Sequence, residues 1–350
     1  MTGQFLQGLV VGKFSPLHRG HELLIGCAQE QCQRLAIISY AKPEFVGCGA
    51  DRREEWLGSL FPHTQRLVVT DERLKEWFPD GDVSLPPDEA DESIHRLFVG
   101  RLCRDVLAIS VDAVFTSEDY GDGFAEELTS FFRSYDPTLP TVRHILVDRQ
   151  RTRIPVSGSM LRSGLHEQRQ WLAPVVYASF VQRVCVLGGE SSGKSTLTAA
   201  LAEYFDTDYV EEYGRELWDK KYGQLEYEDM LAIGQEQVVR EERALLSARR
   251  YLFCDTSPLT TLFYSRFMFG RSDPALEVLA CRCYGLVVLC EPDIMFIQDG
   301  TRQAPGFREK QHEWYLEELE RRRIPYVRVN GSVLERVGKT VAALDRNDCM

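Results

Sequence analysis

Short apolar runs and longer amphipathic stretches alternate along this 350-residue chain. Runs such as Phe5–Val11, Leu35–Tyr40 and Val184–Leu187 have the length and composition of buried strands. Longer stretches such as Asp51–Phe61 and Tyr227–Leu246 are predicted to be helices. Because strands and helices alternate in this way, the sequence predicts an α/β fold with parallel sheets.

The same patterns give the remaining elements. Further helices are predicted at Glu22–Arg34, Glu92–Leu107 and Leu197–Tyr204. Further strands are predicted at Leu67–Thr70, Asp112–Ser117, Tyr251–Cys254, Gly285–Cys290 and Tyr326–Val329, with a short strand end at Asp208–Glu212. The acidic segment Asp71–Asp91 contains Pro and Gly, which predicts a surface loop.

The length predicts two domains, because a chain of 350 residues exceeds the usual size of a single hydrophobic core. We expect the first domain to span residues 1–170 and the second to span residues 181–345. A partly helical segment that contains Pro174 is expected to join them.

The composition excludes some classes of partner. The net charge of −12 leaves no basic excess to neutralise nucleic-acid phosphates, so we expect no nucleic-acid partner. The ten cysteines form no C-x-x-C pair, which predicts reduced thiols, and Cys281 and Cys283 fall in a stretch expected to be helical. No apolar run approaches the length of a membrane span, and the N-terminus lacks the features of a signal peptide. We therefore expect a cytoplasmic protein without a membrane anchor.

Residues 188–195 fit the pattern G-x-x-x-x-G-K-[ST] of a Walker A phosphate-binding loop. A predicted strand precedes the motif and a predicted helix follows it, as such a loop requires. Its glycines let the backbone close around phosphate oxygens, and the loop amides and helix N-terminus stabilise their charge. Lys194 is expected to reach the β- and γ-phosphates of ATP as a catalytic residue, and Ser195 to bind Mg²⁺. The predicted phosphate-binding residues are Gly188, Gly189, Glu190, Ser191, Ser192, Gly193, Ser195 and Thr196.

A second candidate phosphate site follows the first strand, where residues 12–21 read GKFSPLHRGH. His18 and His21 form an H-x-G-H element at a strand-to-helix turn, and Gly20 allows close approach of the backbone. Imidazoles at this position can donate hydrogen bonds to phosphate oxygens beside the helix amides. The candidate residues are Gly12 and Phe14 for phosphate binding and Lys13, His18 and His21 for catalysis.

This run resembles the first signature of the nucleotidylyltransferase superfamily, whose members transfer a nucleoside monophosphate unit from an NTP to a phosphorylated or acidic acceptor. Residues 156–162 resemble its second signature, I-S-x-[ST]-x-x-R, with Val in place of Ile. Ser157 and Ser159 suit helix capping and phosphate binding, and Arg162 is a candidate catalytic residue one helical step further on. The resemblance implies a Rossmann-like first domain in which the histidines bind the ATP phosphates.

The second half carries further candidates for ATP chemistry. The strand that ends in Asp255 matches the Walker B pattern, which would place this carboxylate beside Mg²⁺, unless it is an ordinary strand-terminal Asp. Arg302 and Arg308 lie in a polar segment suited to a mobile lid, where they are expected to bind phosphate or, alternatively, to be merely solvated. The turn Asn330–Val333 is expected to face adenine.

Glu212, Tyr213 and Arg215 are the candidate substrate-binding residues of the second half. An aromatic face with a carboxylate suits a flat cation. Glu212 has two alternative roles, as a ligand of ribose hydroxyls or as the catalytic base for the 5′-hydroxyl. A further alternative is that Glu211 and Glu212 form a solvated pair with Arg215 as a local partner.

From about Leu9 to Leu344 the chain resembles the bifunctional NadR family, in which a nicotinamide-nucleotide adenylyltransferase is joined to a P-loop ribosylnicotinamide kinase. Besides the phosphate motifs, the matching runs are Phe115–Asp122, Glu212–Glu216 and Glu291–Arg302. Some members carry an N-terminal helix-turn-helix repressor domain. The first predicted strand begins within ten residues of Met1, so we expect neither that domain nor DNA binding.

The resemblance implies a two-step route to NAD. The second domain would phosphorylate nicotinamide riboside to NMN, and the first would transfer AMP from ATP to NMN, giving NAD and pyrophosphate. The implied ligands are ATP, nicotinamide riboside, NMN and NAD, with Mg²⁺ as cofactor, and a homo-oligomer is possible. Two alternatives remain open: the same ATP chemistries on another nucleoside or phosphate ester, or a nucleotide-sensing regulatory module with one degenerate half.

Overall fold

The computed structural model describes residues 4–81, 83–297 and 305–348. The chain folds into two compact units, Met1–Ser179 and Phe180–Met350. Each unit contains one five-stranded sheet with helices between the strands. Two α/β units with parallel sheets confirm the predicted fold class.

The first unit is built on a parallel sheet with β1 at its centre. Its strands are β1 (Phe5–Gly12), β2 (Cys32–Ser39), β3 (Gln65–Val68), β4 (Ala113–Thr116) and β5 (Arg143–Leu146). The spatial order is β3-β2-β1-β4-β5, and Leu9 of β1 pairs with Ala36 on one side and Val114 on the other. The order of the strands reverses beside β1, and ligands of open α/β sheets bind outside the carboxyl ends of the strands at such a point.

Helices cover both faces of this sheet. They are α1 (Arg19–Gln31), α2 (Ala50–Leu60), α3 (Asp71–Trp77), α4 (Glu92–Arg101), α5 (Gly121–Tyr135), α6 (Gly158–Ser163) and α7 (Pro174–Ala178). α4 continues into a π-helical turn at Leu102–Val106, and a 3-10 turn occupies Arg169–Trp171. Buried residues such as Phe98, Leu128 and Phe132 pack α4 and α5 into one core with the sheet.

Two predictions for this unit were wrong or incomplete. The segment Asp71–Asp91 is not a loop throughout, because α3 occupies its first seven residues. Thr70 caps this helix by accepting a hydrogen bond from the N–H of Arg73 (3.2 Å), and Leu74 is buried. The elements α5 and β5 were not predicted from the sequence.

The second unit places the phosphate-loop strand at the centre of its sheet. The strands are β6 (Gln182–Gly188), β7 (Tyr209–Val210), β8 (Tyr251–Asp255), β9 (Leu286–Cys290) and β10 (Tyr326–Val329). The spatial order is β10-β9-β6-β8-β7, with all described pairs parallel. Every residue of β8 and β9 is buried, which explains why β9 is an uninterrupted apolar run and why β8 is apolar up to its last residue, Asp255.

The helices of the second unit follow the strands in turn. They are α8 (Lys194–Tyr204), α9 (Tyr213–Lys220), α10 (Tyr227–Leu245), α11 (Pro258–Phe269), α12 (Pro274–Leu279), α13 (Pro305–Arg321) and α14 (Val333–Asp348). Cys281 and Cys283 lie beyond the end of α12, so their assignment to a helix was wrong: the chain turns there toward β9. Among the helices of the described ranges, none has the length and apolar content needed to cross a membrane.

Candidate active sites

The first unit has a cleft of about 610 Å³ at the carboxyl ends of β1 and β4. Both signature motifs of the sequence line it. Lys13 and His18 come from the loop between β1 and α1, and His21 comes from the first turn of α1. Ser157 caps the start of α6, and Arg162 lies in its last turn. Two segments that are far apart in the chain therefore meet around one space.

His18 and His21 hold one another at the start of α1. Their rings stack with centroids 3.7 Å apart and an interplanar angle of 15°. The N–H of His21 donates to Nδ1 of His18 (3.4 Å), and the N–H of His18 donates to Nδ1 of His21 (3.3 Å). Since each Nδ1 accepts a hydrogen bond, a neutral ring must carry its proton on Nε2. The capping geometry thus makes both rings Nε2–H donors.

The surroundings keep both imidazoles neutral. Burial lowers the pKa of His18 to about 4, and the positive charge of Arg151 acts in the same direction. Burial also lowers the pKa of His21 well below 6.5, with His18 and Arg151 as further causes. Neutral Nε2–H groups can donate to a phosphate oxygen, and the negative charge of a bound phosphate would in turn favour protonation of the rings.

Arg162 connects the second signature to the first. Its Nη1 donates to the backbone oxygen of Ser15 (2.7 Å) and its Nη2 donates to Oγ of Ser159 (3.2 Å). The guanidinium also lies 4.0 Å from the centre of the Phe45 ring. Ser157 caps α6 by accepting from the N–H of Met160 (3.2 Å). The arginine is therefore held in a fixed orientation at the cleft.

Lys13 lies at the same cleft and is paired there. Its Nζ is 2.8 Å from Oδ2 of Asp88, and half of its side chain is exposed. Gly12 and Phe14 also line the cleft, and Phe14 has a left-handed backbone conformation (φ 48°). The Phe14 ring packs edge-on against His21 at a centroid distance of 4.9 Å. The Phe14 side chain therefore supports an imidazole.

Several residues of this cleft were not identified from the sequence. Arg151 lines it, with Nη2 3.6 Å from Oε1 of Glu118. Tyr40 and His95 form another wall, with 3.0 Å between the Tyr40 hydroxyl and Nδ1 of His95. The position of Tyr40 as the last residue of a predicted strand was the available signal. No motif pointed to Arg151 or His95.

The second unit builds its site on the loop between β6 and α8. Gly188 and Gly193 have φ values of 151° and 82°, a region that favours glycine. A Cβ on Gly188 would lie 2.5 Å from Oγ of Ser192 and 2.9 Å from the backbone oxygen of Cys290. Ser195 and Thr196 are exposed in the first turn of α8. The loop therefore has the tight geometry that its sequence predicts, with the helix N-terminus accessible.

Neighbouring segments fix the rest of this loop. The N–H of Glu190 donates to Oε1 of Gln311 (2.9 Å), and Oγ of Ser191 accepts from the N–H of Ile297 (3.0 Å). The hydroxyl of Ser192 is buried and has no partner among the described residues. Nζ of Lys194 donates to the backbone oxygen of Gly189 (3.1 Å), so its ammonium lies over the loop itself.

Asp255 ends β8 with its carboxylate buried beside this loop. Asp255 is 4% exposed, and its Oδ1 has no hydrogen-bond partner within the described ranges. Burial raises the pKa of Asp255, while the charge of Lys194 and a hydrogen bond from Ser195 oppose that shift. An unpartnered carboxylate oxygen beside a hydroxyl fits Mg²⁺, which takes oxygen ligands and keeps waters and phosphates as the remainder. The described residues contain no cluster of three His, Cys, Asp or Glu side chains that could hold a metal ion.

A pocket of about 110 Å³ adjoins the loop. Four residues contribute its charged groups: Glu190, Lys194, Glu212 and Arg215. Burial raises the pKa of Glu212, while the charge of Lys194 opposes that shift. Glu211, by contrast, is exposed. The alternative of a solvated Glu211–Glu212 pair is therefore wrong, because Glu212 faces the pocket.

Tyr213 is not among the residues that line this pocket. Its ring packs against the guanidinium of Arg240, with Cζ 4.4 Å from the ring centre. Its N–H donates to Oε1 of Gln237 (3.0 Å). The aromatic wall of the pocket comes instead from four residues that sequence reasoning missed. They are Trp218, Tyr264, Phe267 and Phe307.

Of the two arginines predicted to lie in a lid, Arg308 is described by the structure and Arg302 is not. Arg308 donates from Nη1 to the backbone oxygen of Ile294 (2.8 Å). A Cβ on Gly189 would lie 2.6 Å from the backbone oxygen of Arg308, so α13 packs directly on the phosphate loop. Arg302 lies outside the described residues.

The buried Arg336, which no sequence motif indicates, braces the phosphate loop. Nη1 of Arg336 donates to the backbone oxygen of Ser192 (2.6 Å), and Nε donates to that of Gly331 (2.9 Å). Its Nη2 pairs with the carboxylate of Asp293. The N–H of Gly331 donates to the same carboxylate (2.6 Å). Arg336 thus joins the loop to the turn predicted to face adenine.

Comparison with known proteins gives relatives that span both units. The family model of the AAA domain matches residues 183–336. The trifunctional NAD biosynthesis/regulator protein NadR of Escherichia coli is 29% identical over 345 residues, which cover 92% of this chain and 78% of that protein. NadR of Salmonella typhimurium is also 29% identical, over 84% of this chain and 71% of its own length.

Two solved structures share the fold. A crystal structure of NadR in complex with NAD and AMP-PNP superimposes with a TM-score of 0.68 over 100% of this chain and 98% of its own, at 18% identity. A NadR complex with NR gives a TM-score of 0.72, covering 99% and 97%, also at 18% identity. These likenesses extend over the whole chain.

Proposed function

Because the chain belongs to the NadR family of NAD biosynthesis enzymes, we propose that it converts nicotinamide riboside to NAD in two ATP-dependent steps. The second unit phosphorylates the riboside to NMN. The first unit transfers AMP from a second ATP to NMN and releases pyrophosphate. One observation carries the proposal: in each unit, residues predicted to bind phosphate come together around a cleft or loop at the carboxyl end of the central strand.

In the proposed kinase step, the 5′-hydroxyl oxygen attacks the γ-phosphorus of ATP and ADP leaves. Lys194 moves from the Gly189 oxygen to the phosphates, where its charge stabilises the transferring group. Glu212 accepts the proton of the hydroxyl, and its raised pKa makes it a stronger base than an ordinary carboxylate. Asp255 and Ser195 would hold Mg²⁺, which would neutralise charge on the phosphates when bound.

In the proposed adenylyl step, a phosphate oxygen of NMN attacks the α-phosphorus of ATP and pyrophosphate leaves. No side chain has to exchange a proton for this displacement. His18 and His21 donate their Nε2–H groups to phosphate oxygens, and Arg162 and Lys13 neutralise the charge that develops on pyrophosphate. Positioning and charge stabilisation therefore account for catalysis.

The decisive experiment mixes the protein with Mg-ATP and a panel of nucleosides, and separately with Mg-ATP and NMN. We expect NMN and then NAD from nicotinamide riboside, and NAD with pyrophosphate from NMN. Preference for another nucleoside would show that the substrate class is wrong. Binding of ATP without turnover in either mixture would favour the nucleotide-sensing alternative.

A further inference from the structure

A buried side-chain amide in the wall of the second unit's pocket has a hydrogen bond on its oxygen but none on its nitrogen among the described residues. Gln237 lies on α10, is 2% exposed and lines the pocket together with Glu212. Its Nε2 is buried and has no partner within the described ranges. Buried polar groups are nearly always hydrogen-bonded, so an unpaired donor at a ligand pocket calls for an explanation.

The orientation of this amide is fixed by its neighbour. The N–H of Tyr213 points at the Gln237 side chain at 3.0 Å, and a backbone N–H can only donate. The atom facing it must be the amide oxygen, Oε1. The NH₂ group must then face the other way, so the unpaired group is a donor.

Among the residues that the structure describes, no neighbour of Gln237 supplies an acceptor for this donor. Met230 and Ile233 line the pocket from the preceding turns of α10, and both are apolar. Glu212 is the residue directly before Tyr213, whose N–H contacts Gln237. The Gln237 amide and the Glu212 carboxylate therefore line the same end of the pocket. An oxygen of a bound molecule would complete the hydrogen bonding of the amide.

We infer that Gln237 is a specificity-determining residue, whose Nε2 donates a hydrogen bond to an acceptor oxygen of the bound nucleoside. The inference rests on the proposed kinase function of the second unit. Both a ribose hydroxyl and the carboxamide oxygen of the base have this chemistry. A site built to hydrogen-bond one substrate oxygen rejects analogues that lack it, because the buried amide is then left unpaired.

The test compares three variants by steady-state kinetics with nicotinamide riboside. Gln237→Leu removes donor and acceptor. Gln237→Glu keeps an oxygen for the N–H of Tyr213 but removes the donor. Gln235→Leu alters an exposed glutamine of the same helix and is the matched control.

We expect Gln237→Leu and Gln237→Glu to raise KM for the riboside about tenfold, a change of about 1.4 kcal/mol, with kcat changed much less. The added carboxylate of Gln237→Glu would attract a cationic base, and this attraction alone would lower KM. A raised KM would therefore report the loss of the hydrogen-bond donor. Gln235→Leu should behave like the wild type. A kcat for riboside phosphorylation close to that of the wild type shows that the second unit is folded, and formation of NAD from NMN in the first unit should be unchanged in all three variants.

Analogues identify the oxygen. The 2′-deoxy and 3′-deoxy ribosides and a pyridinium riboside without the carboxamide each lack one candidate acceptor. The analogue that lacks the partner oxygen should have the same KM with wild type and with Gln237→Leu, while the others keep the tenfold difference.

Three results overturn the inference. Unchanged KM in both Gln237 variants would show that the amide does not contact the nucleoside. Wild-type behaviour of Gln237→Glu with impaired Gln237→Leu would show that the side chain only positions Tyr213. A tenfold difference that persists with all three analogues would exclude these oxygens. If the wild type itself phosphorylates no riboside, the proposed kinase function fails instead.

Discussion

His18 and His21 cap the same helix reciprocally, each accepting the other's backbone N–H on Nδ1. A polar residue at the N-cap is common, but here both members of the capping box are imidazoles. The Nδ1 atoms are used for folding, and the Nε2–H groups remain for ligands. One pair of side chains therefore caps the start of α1 and also supplies two hydrogen-bond donors to the cleft.

The first prediction concerns catalysis by this pair. His21→Ala should lower the rate of NAD formation from NMN by roughly 10²–10³-fold, the typical effect of removing one well-placed donor. NMN should then accumulate from nicotinamide riboside, because the kinase step does not use His21. The measurement is product analysis by chromatography with either substrate. NAD production at the wild-type rate would contradict the role assigned to His21.

The second prediction concerns pH and stability. The pKa of His18 is about 4 in the folded protein against 6.5 for an ordinary histidine, so the unfolded chain binds more protons between these values. Stability is therefore retained above pH 6.5 and falls as the pH drops towards 4. Between pH 7 and pH 5 this histidine alone should remove about 2 kcal/mol from the free energy of unfolding of the first unit.

Hydrogen exchange of peptides from β1 and α1 measures this effect for the first unit alone. The matched variant is His18→Asn, whose amide oxygen can still accept the N–H of His21. It should have a smaller loss of opening free energy between the two pH values than the wild type. Equal losses in both proteins would show that His18 does not titrate as described.

The third prediction separates the two chemistries. Lys194→Ala removes the cation expected to reach the β- and γ-phosphates in the second unit. Riboside phosphorylation should be lost, while NAD formation from supplied NMN should continue, because the first cleft lies within its own unit. The two assays are run on one preparation. Loss of both activities in a folded protein would mean that the units share one catalytic site.

The fourth prediction tests the base. Glu212→Gln keeps the shape of the side chain and removes its charge, so kcat for riboside phosphorylation should fall by about 10²–10⁴-fold with little change in KM. Glu211→Gln alters the exposed neighbour and should have no effect. A rise in KM confined to the cationic riboside, with kcat unchanged, would instead indicate that Glu212 recognises the charge of the base.

Sequence patterns predicted the parts of the structure that depend on local rules. The strand before the phosphate loop and the fold class are confirmed, because buried parallel strands leave uninterrupted apolar runs such as Val184–Leu187. The start of α1 was placed three residues late, because histidine is not an expected N-cap. The helix α3 was missed because acidic residues suggested a loop, although they also favour a helix N-terminus.

The parts that depend on tertiary contact could not be predicted. Tyr213 was expected to offer its ring to the substrate, but Arg240, a residue of another helix, occupies that ring. Arg151 affects the pKa of both histidines and has no motif around it. Gln237 is one of two glutamines in the same turn of α10, and only the packed structure distinguishes the buried one from its exposed neighbour.

The brace formed by Arg336 has a consequence for biosynthesis. The carbonyl of Ser192 that it binds is made 144 residues earlier in the chain. A ribosome adds about 5–20 residues per second, so the phosphate loop exists for several seconds or more before its brace is synthesised. The phosphate loop of the second unit therefore reaches its braced form only after residue 336 has been synthesised, whereas every described residue that lines the first cleft is synthesised before the loop itself.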